Sequence, residues 1–313
     1  DVARGRGAVM ASNQQSQEVS VRHVLSFDVE EHFQVSAFSS DARRQQWDRL
    51  ESRVEQNTLR LAELLAHAET RATFFVLGWV AERHPGLVKA LVEQGHEIAS
   101  HGYGHELVTN QTEREFREDV RRSKRILEDL TGGMVFGYRA PSFSITDRTP
   151  WALPILVEEG YLYDSSIYAR FQRSEKVGVQ SCAREIATAA GLIFEIALPT
   201  ANLCGIQLPT PGGGYFRLLP YSASRMFLRQ LEKAGTQFVM YLHPWEIDPA
   251  QPRMEGPLGS KFRHYLNLKR TEHRLQCLLH DFSFAPVVDT VQPIRDIVQA
   301  RLQCGTAVCA ASG

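Results

Sequence analysis

The chain has 313 residues, 43% hydrophobic and 23% charged, and its 35 Lys and Arg nearly cancel 36 Asp and Glu to leave a formal net charge of -1. That balance excludes the basic excess expected of a nucleic-acid binder, and the length suits one α/β domain of about 250 residues with tails and long loops. No apolar run of about 18 residues occurs, so no transmembrane helix is expected, and oligomeric state is left open.

Residues 1–20 lack the apolar stretch of a secretory signal and read as a disordered leader, with Met10 a candidate start. Val24 to Val29 is the first expected strand. A helix follows through Leu61, Leu64, Leu65 and Ala68, whose spacing gives one apolar face. Ala72 to Leu77 is the second strand. The next helix carries Pro85 near its start and Leu87, Val88, Leu91 and Val92 on one face, and Gly95 closes it. Glu97 to Ser100 is the third strand. Thr112 with Glu115 forms a capping box for a helix that stops at Gly132-Gly133, before a fourth strand at Met134 to Tyr138. A helix is expected at Thr149 to Glu159, then strands at Tyr161 to Tyr163 and Leu192 to Ile196. Ser222 to Ala234 reads as helix, Gln237 to Leu242 as strand, and Phe262 to Leu279 as one basic amphipathic helix. The alternation predicts parallel strands joined by crossover helices over 21–292, followed by a tail at 293–313.

Five cysteines, Cys182, Cys204, Cys277, Cys304 and Cys309, are odd in number and never spaced as Cys-x2-Cys, which predicts reduced thiols and a cytoplasmic setting. Cys304 and Cys309 read as free thiols on a frayed tail, with a disulfide between them the alternative.

Chemistry concentrates where strand-like runs end. His101-Gly102-Tyr103-Gly104-His105 places two imidazoles close enough to bind one divalent ion, with a carboxylate as third ligand and an open position for water or substrate. Asp28 and Glu30 are the candidate acids. Asp28, His101, Arg139 and His243 each follow an expected strand, the position from which α/β barrels supply catalytic groups. A metal-dependent hydrolase is the reading this layout favours.

The segments Ser26-Phe27-Asp28-Val29-Glu30, Thr73-Phe74-Phe75-Val76, His101 to His105, Arg139-Ala140-Pro141-Ser142, Tyr163-Asp164-Ser165-Ser166 and Leu242-His243-Pro244 resemble the NodB-type polysaccharide deacetylases. The likeness spans most of Val24 to Pro286. FDVEEHFQVSAF and HYLNLKRTEHRLQCLLHDFSFAPV are more narrowly similar to deacetylases of exosortase-associated (PEP-CTERM) exopolysaccharide clusters. The resemblance implies a distorted (β/α) barrel that removes N- or O-acetyl groups from an acetylated polysaccharide. It implies Asp28 as general base held by Arg139, His243 as general acid, and His101 and His105 as ligands of a divalent ion, Zn2+ in the first instance. The family pattern has two adjacent aspartates, whereas Val29 stands second here. Glu30 is therefore taken as the third ligand and Glu31 as its fallback.

For substrate binding, the expectation names Pro141 and Ser142, the latter offering a backbone N–H to the oxyanion, together with Phe143, Asp164, Tyr215 and Trp245. Asp164 is a candidate to orient His243 or the base. Trp245, Phe143, Tyr103, Tyr215 and Phe216 are candidate sugar-stacking rings, and Gly212-Gly213-Gly214 reads as a flexible turn that lets Tyr215 and Phe216 swing over a cleft. His96 reads as structural, and Lys269, Arg270 and Arg274 as a solvated helix face. Two rivals stay open, a small-molecule amidohydrolase for cyclic imides or ureides and a non-catalytic carbohydrate-binding protein.

Overall fold

The computed structural model describes residues 22–38, 40–167, 182–198, 201–203, 206–208 and 212–311. The expected leader and Cys204 lie outside the described residues, as do the side chains of Cys304 and Cys309. Cys182 and Cys277 are free thiols, Cys182 being buried.

Strand β1, His23–Val29, is buried at every position, as a strand covered on both faces must be. It pairs in parallel with β2, Thr73–Val76, and β2 pairs with β3, Glu97–Ser100. The sheet continues through β4, Gly137–Tyr138, and β5, Tyr163–Asp164, to the antiparallel hairpin of β6, Ala183–Thr188, and β7, Gly191–Ile196. A small separate ribbon joins β8, Ala201–Leu203, to β9, Ile206–Leu208. On the far side of β1 lies β10, Val239–Leu242, and β11, Phe284–Ala285, also pairs with β1. The nine-stranded order is β10-β1-β2-β3-β4-β5-β7-β6 plus β11, and among the described residues the end strands β10 and β6 do not pair. This is the expected distorted barrel, a curled and mostly parallel sheet that among the described residues stays open. Strands β4 and β5 are shorter than expected, and the β6 and β8–β9 pieces had no clear alternation to announce them.

The helices follow their apolar spacing. α1, Asp41–Arg44, is one turn, while α2, Val54–His67, buries Leu61, Leu64 and Leu65. α3, Gly78–Arg83, leads into α4, Pro85–Glu93, which starts on its proline. α5, Glu113–Thr131, opens on the Thr112/Glu115 capping box and ends on left-handed Gly132, the former contributing about 1 kcal/mol. α6, Ala152–Glu158, α7, Gly213–Leu218, and α8, Tyr221–Lys233, complete the middle of the chain.

Two expectations are corrected near the end. The single basic helix is two, α9, Leu258–Tyr265, and α10, Leu268–Asp281, because Asn267 adopts a left-handed conformation with φ of 56° and breaks the path. The tail is not frayed. After α11, Val287–Thr290, it forms α12, Gln292–Ala311, whose Ile294 and Val298 pack into an apolar cluster with Val24, Phe75 and Val239.

Candidate active site and metal centre

All the parallel strands that carry expected site residues end on one rim, as their shared direction requires. Asp28 is the penultimate residue of β1, His101 and Arg139 follow β3 and β4 immediately, and His243 follows β10.

The His101–His105 loop is fixed from several sides. Gly78 N–H donates to the Gly102 carbonyl at 2.9 Å and Trp79 N–H to the Tyr103 carbonyl at 3.0 Å. Asp119 of α5 accepts from the N–H groups of Tyr103 and Gly104 at 2.8 and 3.3 Å. The Arg44 guanidinium donates to the carbonyls of Gly104 and His105 at 2.6 and 2.9 Å. Gly102 has φ of 75°, and a Cβ there would meet Asp119, so this position requires glycine. His105 holds φ of 52°, a conformation few side chains adopt without compensation.

This loop brings donor atoms of Glu30, His101 and His105, all buried, within 4.8 Å of one another. His101 Nδ1 donates to the Arg139 carbonyl at 2.8 Å, which leaves the Nε2 lone pair available. Glu30 Oε2 lies 2.5 Å from His105 Nε2. Yet Glu30 Oε2 and His105 Nδ1 are buried without a hydrogen-bond partner. Two imidazoles and a carboxylate, with buried donor atoms unsatisfied, fit a divalent ion such as Zn2+. Glu31, the fallback ligand, is elsewhere. Its carboxylate accepts from Arg53 N–H at the start of α2 at 3.0 Å and from Ser52.

Asp28 sits beside this cluster. Its Oδ1 accepts from Arg139 Nη1 at 2.6 Å and its Oδ2 is 3.8 Å from His243 Nε2. Arg139 is fully buried, and it also donates to Ser26 Oγ and Ser165 Oγ at 3.0 Å each while its guanidinium lies 4.0 Å from the Phe75 ring centre. A buried guanidinium held by three such partners fixes the direction in which the Asp28 carboxylate points.

His243 keeps 19% of its side chain exposed, whereas Asp28 and Glu30 keep 3%, so it is the member that faces the opening. Its Nδ1 donates to Glu246 Oε1 at 2.6 Å, and Glu246 Oε2 accepts from Arg217 Nε at 2.9 Å. Burial pushes His243 down, but the Glu246 hydrogen bond and the charges of Glu30, Glu246 and Asp28 outweigh it and raise the imidazole to about 9. Burial instead lowers His101 to about 4, so its ring is neutral at pH 7, as a ligand must be. Burial works against ionised Glu30, and the histidines His105, His243 and His101 overcome it to hold the carboxyl well below its usual range.

Several expectations need correction. Asp164 does not reach His243; it accepts from Ser166 N–H at 3.2 Å and from Ser166 Oγ, which in turn accepts from Ala140 N–H at 2.7 Å. The orienting carboxylate is Glu246, missed because only its spacing of three from His243 could have pointed to it. Trp245 is no sugar platform. It is buried, donates from Nε1 to Glu30 Oε1 at 3.1 Å, and stacks between His243 and His264 at ring separations of 5.1 and 4.1 Å.

Gly212–Gly214 is not a swinging turn either. Gly212 bridges to Tyr241, and Gly213 opens α7 where Glu246 fills the space a Cβ would need. Phe216 is buried edge-on to Tyr221, while Tyr215 on the same helix is exposed. Arg274 is buried rather than solvated, donating to the carbonyls of Phe216 and Arg217 at 2.8 Å. His96 is buried, with Ala72 N–H donating to its Nδ1 at 3.3 Å. Pro141 begins a short turn in which Ser142 and Phe143 both have positive φ, and Ser142 Oγ meets Ser36 Oγ at 2.7 Å. Phe143 packs edge-on to Tyr241 at 5.0 Å.

Parts of the chain are similar to known proteins. Residues 45–156 match a family model described as polysaccharide deacetylase, and residues 165–292 match one described as a domain of unknown function (DUF3473). Over 108 residues the chain is 32% identical to the peptidoglycan deacetylase of Helicobacter pylori, covering 34% of this chain and 36% of that protein. Over 96 residues it is 35% identical to a peptidoglycan-N-acetylglucosamine deacetylase of Bacillus cereus, covering 30% of this chain and 35% of the other. The chain thus spans about a third of the length of each of these two relatives. A solved Mycobacterium smegmatis structure assigned as a polysaccharide deacetylase shares the fold, with a TM-score of 0.58 and 22% identity over 87% of this chain and 89% of that one.

Proposed function

We propose that this chain, whose residues 45–156 carry the polysaccharide deacetylase match, is a divalent-metal-dependent deacetylase that hydrolyses N-acetyl groups of a polysaccharide. The observation that carries the reading is the convergence of three sets on one rim: the Asp28–Arg139 pair, the Glu30–His101–His105 cluster, and His243 with its Glu246 support. Pure sugar binding requires neither a held base nor a held acid. The narrower resemblance to exosortase-associated deacetylases supports placing the activity in exopolysaccharide assembly.

The chemistry divides among named side chains. Glu30, His101 and His105 would hold the ion, which when bound polarises the acetyl carbonyl and acidifies water. Asp28 takes the proton of the attacking water, and the Arg139 hydrogen bond keeps that carboxylate aimed. Ser142 N–H is the candidate backbone donor to the oxyanion that follows. His243, protonated through its Glu246 hydrogen bond, delivers a proton to the departing sugar nitrogen. Acetate and the free amine are the products. Acetate release from a panel of acetylated oligosaccharides, with metal-stripped protein as control, tests the reading. Release that is unaffected by stripping, or none from any acetylated sugar, contradicts it.

A further inference from the structure

Between α9 and α10 the left-handed turn at Asn267 leaves two adjoining hollows of about 520 and 280 Å3. Arg253, Tyr265 and Asn267 line both. Lys261 and Phe262, with Met254 and Leu266, also line the larger; Lys269 and Arg270, with Pro249 and Leu268, also line the smaller; and no carboxylate lines either. The concentration is local, because the whole chain is nearly neutral while the stretch from Arg253 to Arg270 carries five cationic side chains against the single carboxylate of Glu255. Glu255 is spent on Lys261 at 2.9 Å. Arg253, Lys269 and Arg270 make no ion pair with any carboxylate of the described residues, and Arg253 instead rests 4.1 Å from the centre of the Tyr265 ring. Unpaired cations beside aromatic faces form a surface for carboxylates carried on flat, partly apolar rings.

The groove is wired to the candidate active site. Arg217 Nη1 donates to the α9 carbonyls of Arg263 and His264 and to that of Leu266 just past the helix, while its Nε holds Glu246, the partner of His243. On the inner face of α9, His264 stacks on Trp245, whose Nε1 reaches Glu30.

We propose that this groove binds the acidic units of an anionic, uronate-bearing polysaccharide, so that the polymer deacetylated here is acidic rather than neutral. This rests on the deacetylase reading and adds the substrate's charge class. The recessed hollows favour a glycan, whose acidic units can enter them, over an anionic membrane, which lies on the outside of a helix rather than in recesses beside it.

Calorimetry on the metal-loaded whole chain carrying Asp28→Asn, so that binding is not followed by turnover, tests it with a hyaluronan hexasaccharide against a chitin hexasaccharide. The proposal expects the acidic probe to bind at least about tenfold more tightly. It expects Arg253→Ala/Lys269→Ala/Arg270→Ala to erase that advantage without changing chitin affinity, and Lys269→Arg/Arg270→Lys to retain it. Equal affinity for the two probes, or an advantage that survives the triple variant, overturns it. So does loss of phosphatidylglycerol vesicle binding in the triple variant with no hyaluronan binding by its parent, which assigns the patch to a membrane. Because binding is read without turnover, a failure here leaves acetate release untouched, and absent acetate release with intact acidic preference would sink only the deacetylase reading.

Discussion

Trp245 Nε1 donates a hydrogen bond to Glu30 Oε1 at 3.1 Å, tying the candidate third metal ligand to a ring 215 residues later in the chain. The indole fixes the carboxylate from outside while the cluster uses it from inside. Outer partners of this kind orient ligands and typically shift metal affinity by about 10–100-fold. Trp245→Phe keeps a ring between His243 and His264 but removes the donor. Chelator competition should then show metal affinity lowered by about tenfold or more, and unchanged affinity would mean Glu30 is held by other means.

Glu246 acts on His243 in the same indirect way, and its effect can be read in pH. Burial alone would depress the imidazole, and the Glu246 hydrogen bond with the surrounding carboxylates lifts it to about 9. A general acid works below its own pKa, so activity should decline as pH rises through that of His243. Glu246→Gln removes a raising influence. The alkaline limb of kcat/KM should move to lower pH, and an unmoved limb would disconnect Glu246 from the acid.

Gly213 offers a second handle on the same pair. Its backbone is not left-handed, so alanine is tolerated there conformationally, but the added Cβ would collide with both Glu246 carboxylate oxygens. Gly213→Ala should lower kcat/KM by about tenfold or more through displacement of His243, with the thermal midpoint little changed. A matched loss of stability, with activity per folded molecule intact, would show that the collision is absorbed elsewhere.

How far the site was readable depends on how local its signals are. Asp28, Glu30, His101, Arg139 and His243 lie at or just past the ends of apolar strands, where strand direction places them on a rim, and His105 follows on the loop that begins at His101. Glu246 and Ser166 act by contacts that no periodicity encodes, and Arg217 reaches Glu246 from a helix that the glycine run disguised as a turn. Trp245 looked like a surface ring because sequence says nothing of His264 arriving 19 residues later to cover it. The fold was legible where amphipathic spacing was sustained, as in α2 and α5. It was not legible in α12, whose apolar positions find their partners in distant strands, nor at Asn267, where one left-handed residue divides a continuous helical pattern.

The buried carboxyls Asp164 and Glu195 should make stability fall with rising pH. Burial raises Asp164 to about 6 and Glu195 well above its usual range, with their mutual proximity adding to the latter. Folded values above unfolded ones mean that the contribution is complete below about pH 4 and is lost as pH rises through 6 and beyond. Urea unfolding should therefore show stability falling between pH 4 and 7 as the coupled pair is forced to ionise. Glu195→Gln should flatten that dependence; an equally steep profile in the variant would show that the pair ionises without cost.

The most direct test of the central claim is to measure bound metal and acetate release together in three proteins. The account predicts one divalent ion per chain and turnover in the native protein, an ion without turnover in Asp28→Asn, and neither in His101→Ala. An Asp28→Asn variant that still turns over, or a His101→Ala variant that keeps its ion with unaltered affinity, would contradict the shared ion-centred site.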